Sequence, residues 1–266
     1  MKKELLLTAA IMASITGTTF AAGTDFGVNS VNDGSFGVVT GTNNIVNNGA
    51  NNTLVSGYGN KTNASNTLVM GEGNTASAMN SFVGGENSQT RGKNSIAFGE
   101  NAQTNFDNTF AIGKEAVTSQ YDTIAIGNGA KVSGESSVAI GRDNNITAAD
   151  TTAFGANNGT IAADQSNVFG YNNVVQGTEK EQLIFGVNST TKEQGATVVG
   201  SHAQATAVDA LALGNNTIAD VQNGVAIGTN SVTESAVGTS NIKDNTTDIR
   251  FSNSTYAGST PDSVVS

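Results

Sequence analysis

The residue types that carry chemistry are sparse in this chain and do not gather. There is one histidine, His202, and no cysteine, so neither a thiolate metal site nor a Cys–His nucleophile pair can be assembled. No carboxylate pair surrounds His202 at ligand spacing. It follows Gly200 in a turn, where a solvated imidazole is the expected state. The serines and acids are scattered, with no nucleophile–base arrangement. The glycines do not form a phosphate loop, which is a single strand-to-helix turn with a lysine, and the GGxGxD repeats of calcium-binding rolls are missing. The expectation is a chain that is not an enzyme, with no catalytic, cofactor-binding or metal residue.

What recurs instead is glycine. Gly57, Gly71, Gly85, Gly99, Gly113, Gly127, Gly141 and Gly155 are spaced 14 apart. The register slips by one or two at Gly170 and Gly186 and resumes at Gly200, Gly214 and Gly228. Each glycine closes a short apolar run, such as IAIG at Gly127 and LALG at Gly214. A fixed short period predicts a solenoid, in which each repeat buries its apolar face by stacking on its neighbours. Coils ~4.8 Å apart would build a rod on the order of 65 Å long, whose role is to present an extended surface. Large apolar residues occur only in thin periodic slices, which excludes a conventional globular core.

Charge narrows the partners. The formal net charge is -10, and no basic stripe is present to neutralise phosphates, so nucleic acid is excluded as a partner. Attraction to anionic lipid is disfavoured for the same reason. Lys2 and Lys3, then the apolar run Leu5 to Phe20, then Ala21 and Ala22 read as an export signal over residues 1–21. Residues 22–37 form a lead-in, 38–240 the repeats, and 241–266 a distinct final segment.

Within a repeat, the positions three and one before the glycine are large and share a face, as in Ile124 and Ile126. The position between them points the other way and is small and apolar: Ala97, Ala111, Ala125, Ala139 and Ala153, with valines in other coils. A strand apolar on both faces is buried on both. One face fills the coil. The other needs a partner, and the small middle column suits the close approach of a second protomer, which places an oligomer seam on these five alanines. The residues three and five past the glycine, such as Ala116 and Thr118, read as a thinner outer sheet. Glycine and the pairs Asn66-Thr67, Asn80-Ser81, Asn94-Ser95 and Asn108-Thr109 mark corners, and stacked corners of this type can form side-chain ladders.

These residues resemble the head of trimeric autotransporter adhesins, whose repeats follow the pattern NSxAxG…A, as in NSIAFGENAQT at 94–104 and SSVAIGRDN at 136–144. The resemblance implies an all-β, left-handed parallel β-roll in a homotrimer. It implies a bacterial cell-surface, outer-membrane protein that binds a host protein, with collagen, fibronectin, laminin and carcinoembryonic-antigen-related receptors as candidates. The segment 254–266 is similar to the stretch before the neck of such adhesins. The neck, stalk and membrane anchor would then lie beyond this chain, and membrane attachment would run through that missing anchor. The alternative function is a structural, self-associating rod for autoaggregation or spacing.

For a host contact, Met79, Lys93, Phe106 and Tyr121 fall seven or eight residues after the glycine in consecutive coils, flanked by Arg91 and Asp107. This strip reads either as a receptor site or as packing against a neighbouring protomer. In the second case the contact moves to Glu179, Lys180 and Glu181, in the charged stretch that lengthens one repeat. That stretch reads equally as a tolerated insertion at a corner.

Overall fold

The computed structural model describes residues 24–25, 31–32, 37–47 and 49–235. The expected export signal and the final segment 241–266 lie outside the described residues. The chain divides into two compact units, Met1–Glu115 and Ala116–Ser266. Among the described residues every regular element is a β-strand.

In the first unit a long strand and a two-residue strand alternate. The long strands include Leu54–Tyr58, Leu68–Glu72, Phe82–Glu86 and Ile96–Glu100, and the short ones Lys61–Thr62, Thr75–Ala76, Gln89–Thr90 and Gln103–Thr104. Each strand pairs in parallel with its counterpart one coil away, as in Ala97 with Val83 and Thr90 with Thr104. Pairing begins upstream of the expected start at 38. Thr24–Asp25 pairs with Val38–Val39, and Val31–Asn32 with Ile45–Val46, so part of the lead-in already belongs to the sheets.

The second unit repeats the pattern from Val117–Thr118 to Val225–Ile227. Its long strands keep glycine opposite glycine through the irregular intervals, with Gly155 opposite Gly170 and Gly170 opposite Gly186. Its short strands break into two sheets between Gly159–Ile161 and Val174–Val175. The extra residues are therefore absorbed on the short-strand side and at a corner.

The columns sort into inside and outside differently from the sequence expectation. Ala97, Ala111, Ala125, Ala139 and Ala153 have 0% exposure within the single chain, as do Val55, Val69 and Val83. They face the coil interior and have no surface left to offer a second protomer, which removes them from the seam. The positions after the glycine, such as Ala102 with Thr104 and Ala116 with Thr118, are also buried and line the same interior, so they are not an outer layer. The interior is walled mostly by small residues, alanine, threonine and valine, with isoleucine at 146, 161 and 184 in the second unit. The large residues three and one before the glycine point outward: Phe98 is 46% exposed and Leu54 44%.

The glycine column lies inside the long sheet, not at a corner. Gly85 has φ +103°, and a Cβ on it would stand 1.9 Å from the carbonyl oxygen of Gly99. Gly127, at φ +136°, would clash in the same way with Gly141, at 2.1 Å. The strands thus approach closely along a track that no side chain can enter. The corners are elsewhere. Each is a left-handed residue, at Asn87 and Asn101 on one side and at Asn80 and Asn94 on the other. Asparagine suits them because its short polar side chain offsets the left-handed backbone.

Buried asparagines complete the scaffold. Asn74 Nδ2 donates to the carbonyls of Met70 at 2.9 Å and Gly85 at 2.8 Å, and its Oδ1 accepts from the Ser88 amide at 2.8 Å. Asn60 and Asn44 do the same one and two coils away, and Asn144, Asn158 and Asn173 form a second such column in the other unit. They satisfy corner backbone groups that the sheets leave over, each costing ~1–3 kcal/mol if buried unpaired.

Gly85→Ala adds a clash to a disfavoured φ and should lower stability by about 3 kcal/mol or more. Gly59 has φ +63° with open space around its Cβ position, and Gly59→Asn should melt within about 0.5 kcal/mol of the parent. Thermal denaturation followed by circular dichroism checks both.

Candidate functional site

The surface offers two kinds of feature: an apolar sheet face and polar corners. The face is built by the long strands, because side-chain alternation sends the two flanking columns outward once the middle column is committed to the interior. In the first unit Leu68, Phe82, Ile96 and Phe110 form one column and Met70, Gly84, Phe98 and Ile112 the next. Gly84 makes room for a ring, since a Cβ there would lie 2.7 Å from Phe98 Cδ2, and Phe98 leans on Phe82 with centroids 5.7 Å apart. In the second unit Phe154, Phe169 and Phe185 stack nearly parallel, with centroid separations of 5.5 and 4.5 Å. Nothing in the described chain covers either face. Exposed apolar area of this extent marks an interaction surface.

The borders of the face differ in chemistry. On one side of the first unit runs an asparagine ladder. Asn52, Asn66, Asn80 and Asn94 each donate from Nδ2 to the Oδ1 of the next asparagine, at 3.2, 3.0, 3.0 and 3.1 Å, ending at Asn108. The corner ladder expected from the sequence is present on the expected residues. On the other border, at the ends of the long strands, Glu72, Glu86 and Glu100 stack in register. Lys114 Nζ meets Glu100 Oε2 at 3.0 Å, and that hydrogen bond and charge hold the Lys114 ammonium above the ordinary lysine range. Both partners are well exposed, so the pair contributes little to stability.

The expected partner strip separates on inspection. Met79, Arg91, Lys93 and Asp107 line one shallow depression at a corner of the first unit, together with Asn63 and Ser77. Met79 is 43% exposed. Arg91 reaches Asn105 Oδ1 through Nη1, and Asp107 Oδ1 accepts the Lys93 amide at 2.7 Å. Phe106 does not join them as an exposed anchor. It is half-buried one position earlier in its coil, the place that Gly92 and Ala78 take in neighbouring coils, and a Cβ on Gly92 would stand 1.7 Å from the Phe106 carbonyl oxygen. Tyr121 belongs to the second unit and is 45% exposed.

Glu179, Lys180 and Glu181 are all exposed on the lengthened corner of the second unit. The corner is tethered rather than loose. Gln182 is buried and donates to the Glu179 carbonyl at 2.8 Å, the Glu181 amide donates to the Asp164 carbonyl at 3.1 Å, and Lys180 Nζ lies 3.8 Å from Asp164 Oδ2. His202 takes a left-handed corner position at φ +56°, equivalent to Asn188 and Asn216. Its Nε2 lies 3.3 Å from Asn188 Nδ2 and its Nδ1 2.9 Å from Ser201 Oγ, so it extends a polar ladder.

Three segments, residues 91–116, 119–144 and 205–231, match the family model of the YadA head domain repeat (2 copies). No curated protein matches the chain. The chain carries YadA head domain repeats on a parallel β-solenoid with turns of about 14 residues, consistent with the head of a trimeric autotransporter adhesin. At this level the family resemblance read from the sequence holds.

The exposed ladder has a measurable role. Asn80→Ala removes two ladder hydrogen bonds and a residue tolerant of left-handed φ, and should lower stability by about 1–2 kcal/mol. Asn80→Gly, free at that φ, should recover part of the loss. Melting temperatures of the two variants against the parent test this.

Proposed function

We propose that the chain is the head of a bacterial cell-surface adhesin, a homotrimer of left-handed β-rolls that attaches to a host matrix or cell-surface protein. The observation that carries the reading is the uncovered apolar face of the long strands in a chain with YadA head repeats. Three copies that turn these faces towards a common axis bury what a single chain leaves in water, at roughly 25 cal/mol per Å². The seam then consists of the flanking columns, Ile96, Phe98, Ile124 and Ile126 among them, and not of the alanines between. Export and display at the cell surface follow from the same family reading, as does a role that is adhesive rather than enzymatic.

The host contact falls on a surface that assembly leaves free. The corner at Glu179, Lys180 and Glu181, exposed and lengthened by two residues, carries this contact in preference to the depression at Met79, Arg91 and Lys93. Collagen, fibronectin, laminin and carcinoembryonic-antigen-related receptors are the partner candidates. A self-associating rod is the second reading, favoured by the same apolar columns if they join heads of different cells.

Sedimentation equilibrium on the purified chain should return a trimer, and a folded monomer would refute the assembly. Ile126→Asp should shift the chain towards monomer while keeping its β spectrum. Ala125→Asp should lose the β spectrum itself, since it buries a carboxylate inside the coil at a cost of several kcal/mol. Immobilised matrix proteins and receptor ectodomains should retain the trimer, and Glu179→Ala with Lys180→Ala should weaken that binding about tenfold with melting unchanged. Retention by none of them, with clumping of cells that display the head, would favour the self-associating rod.

A further inference from the structure

Asparagine carries a slow reaction of its own in water. The backbone nitrogen of the next residue attacks the side-chain carbonyl carbon, and the ring that forms opens to an acid. The reaction needs a carboxamide free to turn, water at the site, and a following residue that does not crowd the approach, glycine before all others. This chain is rich in asparagine, yet the fold holds many of these groups still. The exposed corner asparagines at 52, 66, 80 and 94 are tied into a ladder, and the buried ones at 60 and 74 are tied to the backbone of the next coil.

Three Asn-Gly pairs lie wholly among the described residues, and the structure treats them differently. Asn158 is fully buried. Its Nδ2 donates to Asn144 Oδ1 at 3.1 Å and to the Gly170 carbonyl at 3.2 Å, and its Oδ1 accepts from the Asn173 amide at 3.2 Å. Asn223 is half-buried, and the nitrogen that would attack it, on buried Gly224, donates to the Val221 carbonyl at 2.8 Å. Asn128 is exposed. It stands one place past the glycine track, outside the corner ladder, and its side chain makes no hydrogen bond among the described residues. Gly129 follows it at φ +68°, with no side chain to crowd the attack.

We infer that Asn128 is a self-modification site, at which the folded chain deamidates in preference to its other Asn-Gly pairs. The Gly129 nitrogen loses its proton to solvent and bonds to Asn128 Cγ. Nδ2 takes up a proton and leaves as ammonia, which completes a five-membered imide. Water then adds to either imide carbonyl and breaks its bond to the Gly129 nitrogen. Opening at Cγ gives aspartate in an ordinary chain. Opening at the main-chain carbonyl gives isoaspartate, with the chain running through Cγ. One water is consumed and one ammonia released, with no change in oxidation state. Either product adds one negative charge at the surface, one coil from Arg142.

The test ages the purified full chain in mildly alkaline buffer, native and in denaturant, and follows each site by peptide mass. Trypsin releases residues 115–131 as one peptide whose sole asparagine is Asn128, and deamidation adds about 1 Da to it. In the native chain Asn128 should convert about tenfold or more faster than Asn158 and Asn223, since those sites must first give up hydrogen bonds. In denaturant the three rates should converge. Isoelectric focusing should show an acidic band that grows with age and runs with the Asn128→Asp variant. Asn128→Gln should remove that band, because the longer side chain closes its ring poorly. A native rate at Asn128 no higher than at the other two sites, an acidic band that survives in Asn128→Gln, or a preference for Asn128 that persists in denaturant would each overturn the inference.

Discussion

The thickness of the coil governs this molecule. Long and short strands lie so close that the space between them is filled mostly by alanine, threonine, serine and valine, with isoleucine at 146, 161 and 184. A leucine or phenylalanine must then stand outside. An ordinary β-layer hides its large residues and displays its small ones; here the order is reversed. The outward columns of Leu68, Phe82, Ile96 and Phe98 are a consequence of the narrow interior, and so is the need for something beyond the single chain to cover them.

Narrowness also sets the polar chemistry. A coil this thin turns sharply twice per circuit, and each turn leaves backbone groups that neither sheet can use. Asn60 and Asn74 reach from one coil to the carbonyl and amide of the next, and the outer ladder from Asn52 to Asn108 runs beside them. An asparagine-rich composition, which in another chain would signal disorder, is here a repeated solution to the same two corners.

The sequence disclosed the period, the strand positions and the asparagine corners, because each recurs at a constant offset from glycine. It did not disclose which side of the strand is inside. Alternation says that Ile124 and Ile126 share a face opposite Ala125 and is silent on which face is wet. The decision needed the distance between the two sheets, and the signal for it was present: the residues three and five past the glycine, such as Ala130 and Val132, are small too, as two walls of a narrow interior must be. The buried column of Asn44, Asn60 and Asn74 was masked by the abundance of asparagine, although its position three past the glycine sets it apart. Phe106 looked like part of an exposed strip because a one-residue difference in offset moves a side chain from the corner to the wall.

The interval between Gly170 and Gly186 carries two extra residues, yet the long strands on either side remain paired glycine to glycine. All of the surplus is expelled at the corner of Glu179 and Lys180, outside both strands and away from the glycine track. Such a scaffold separates what must be invariant from what is free to drift. Length and charge can be written into one corner, coil by coil, while the apolar columns keep their spacing. The outline of such a solenoid changes through small insertions while its strand pairing stays intact.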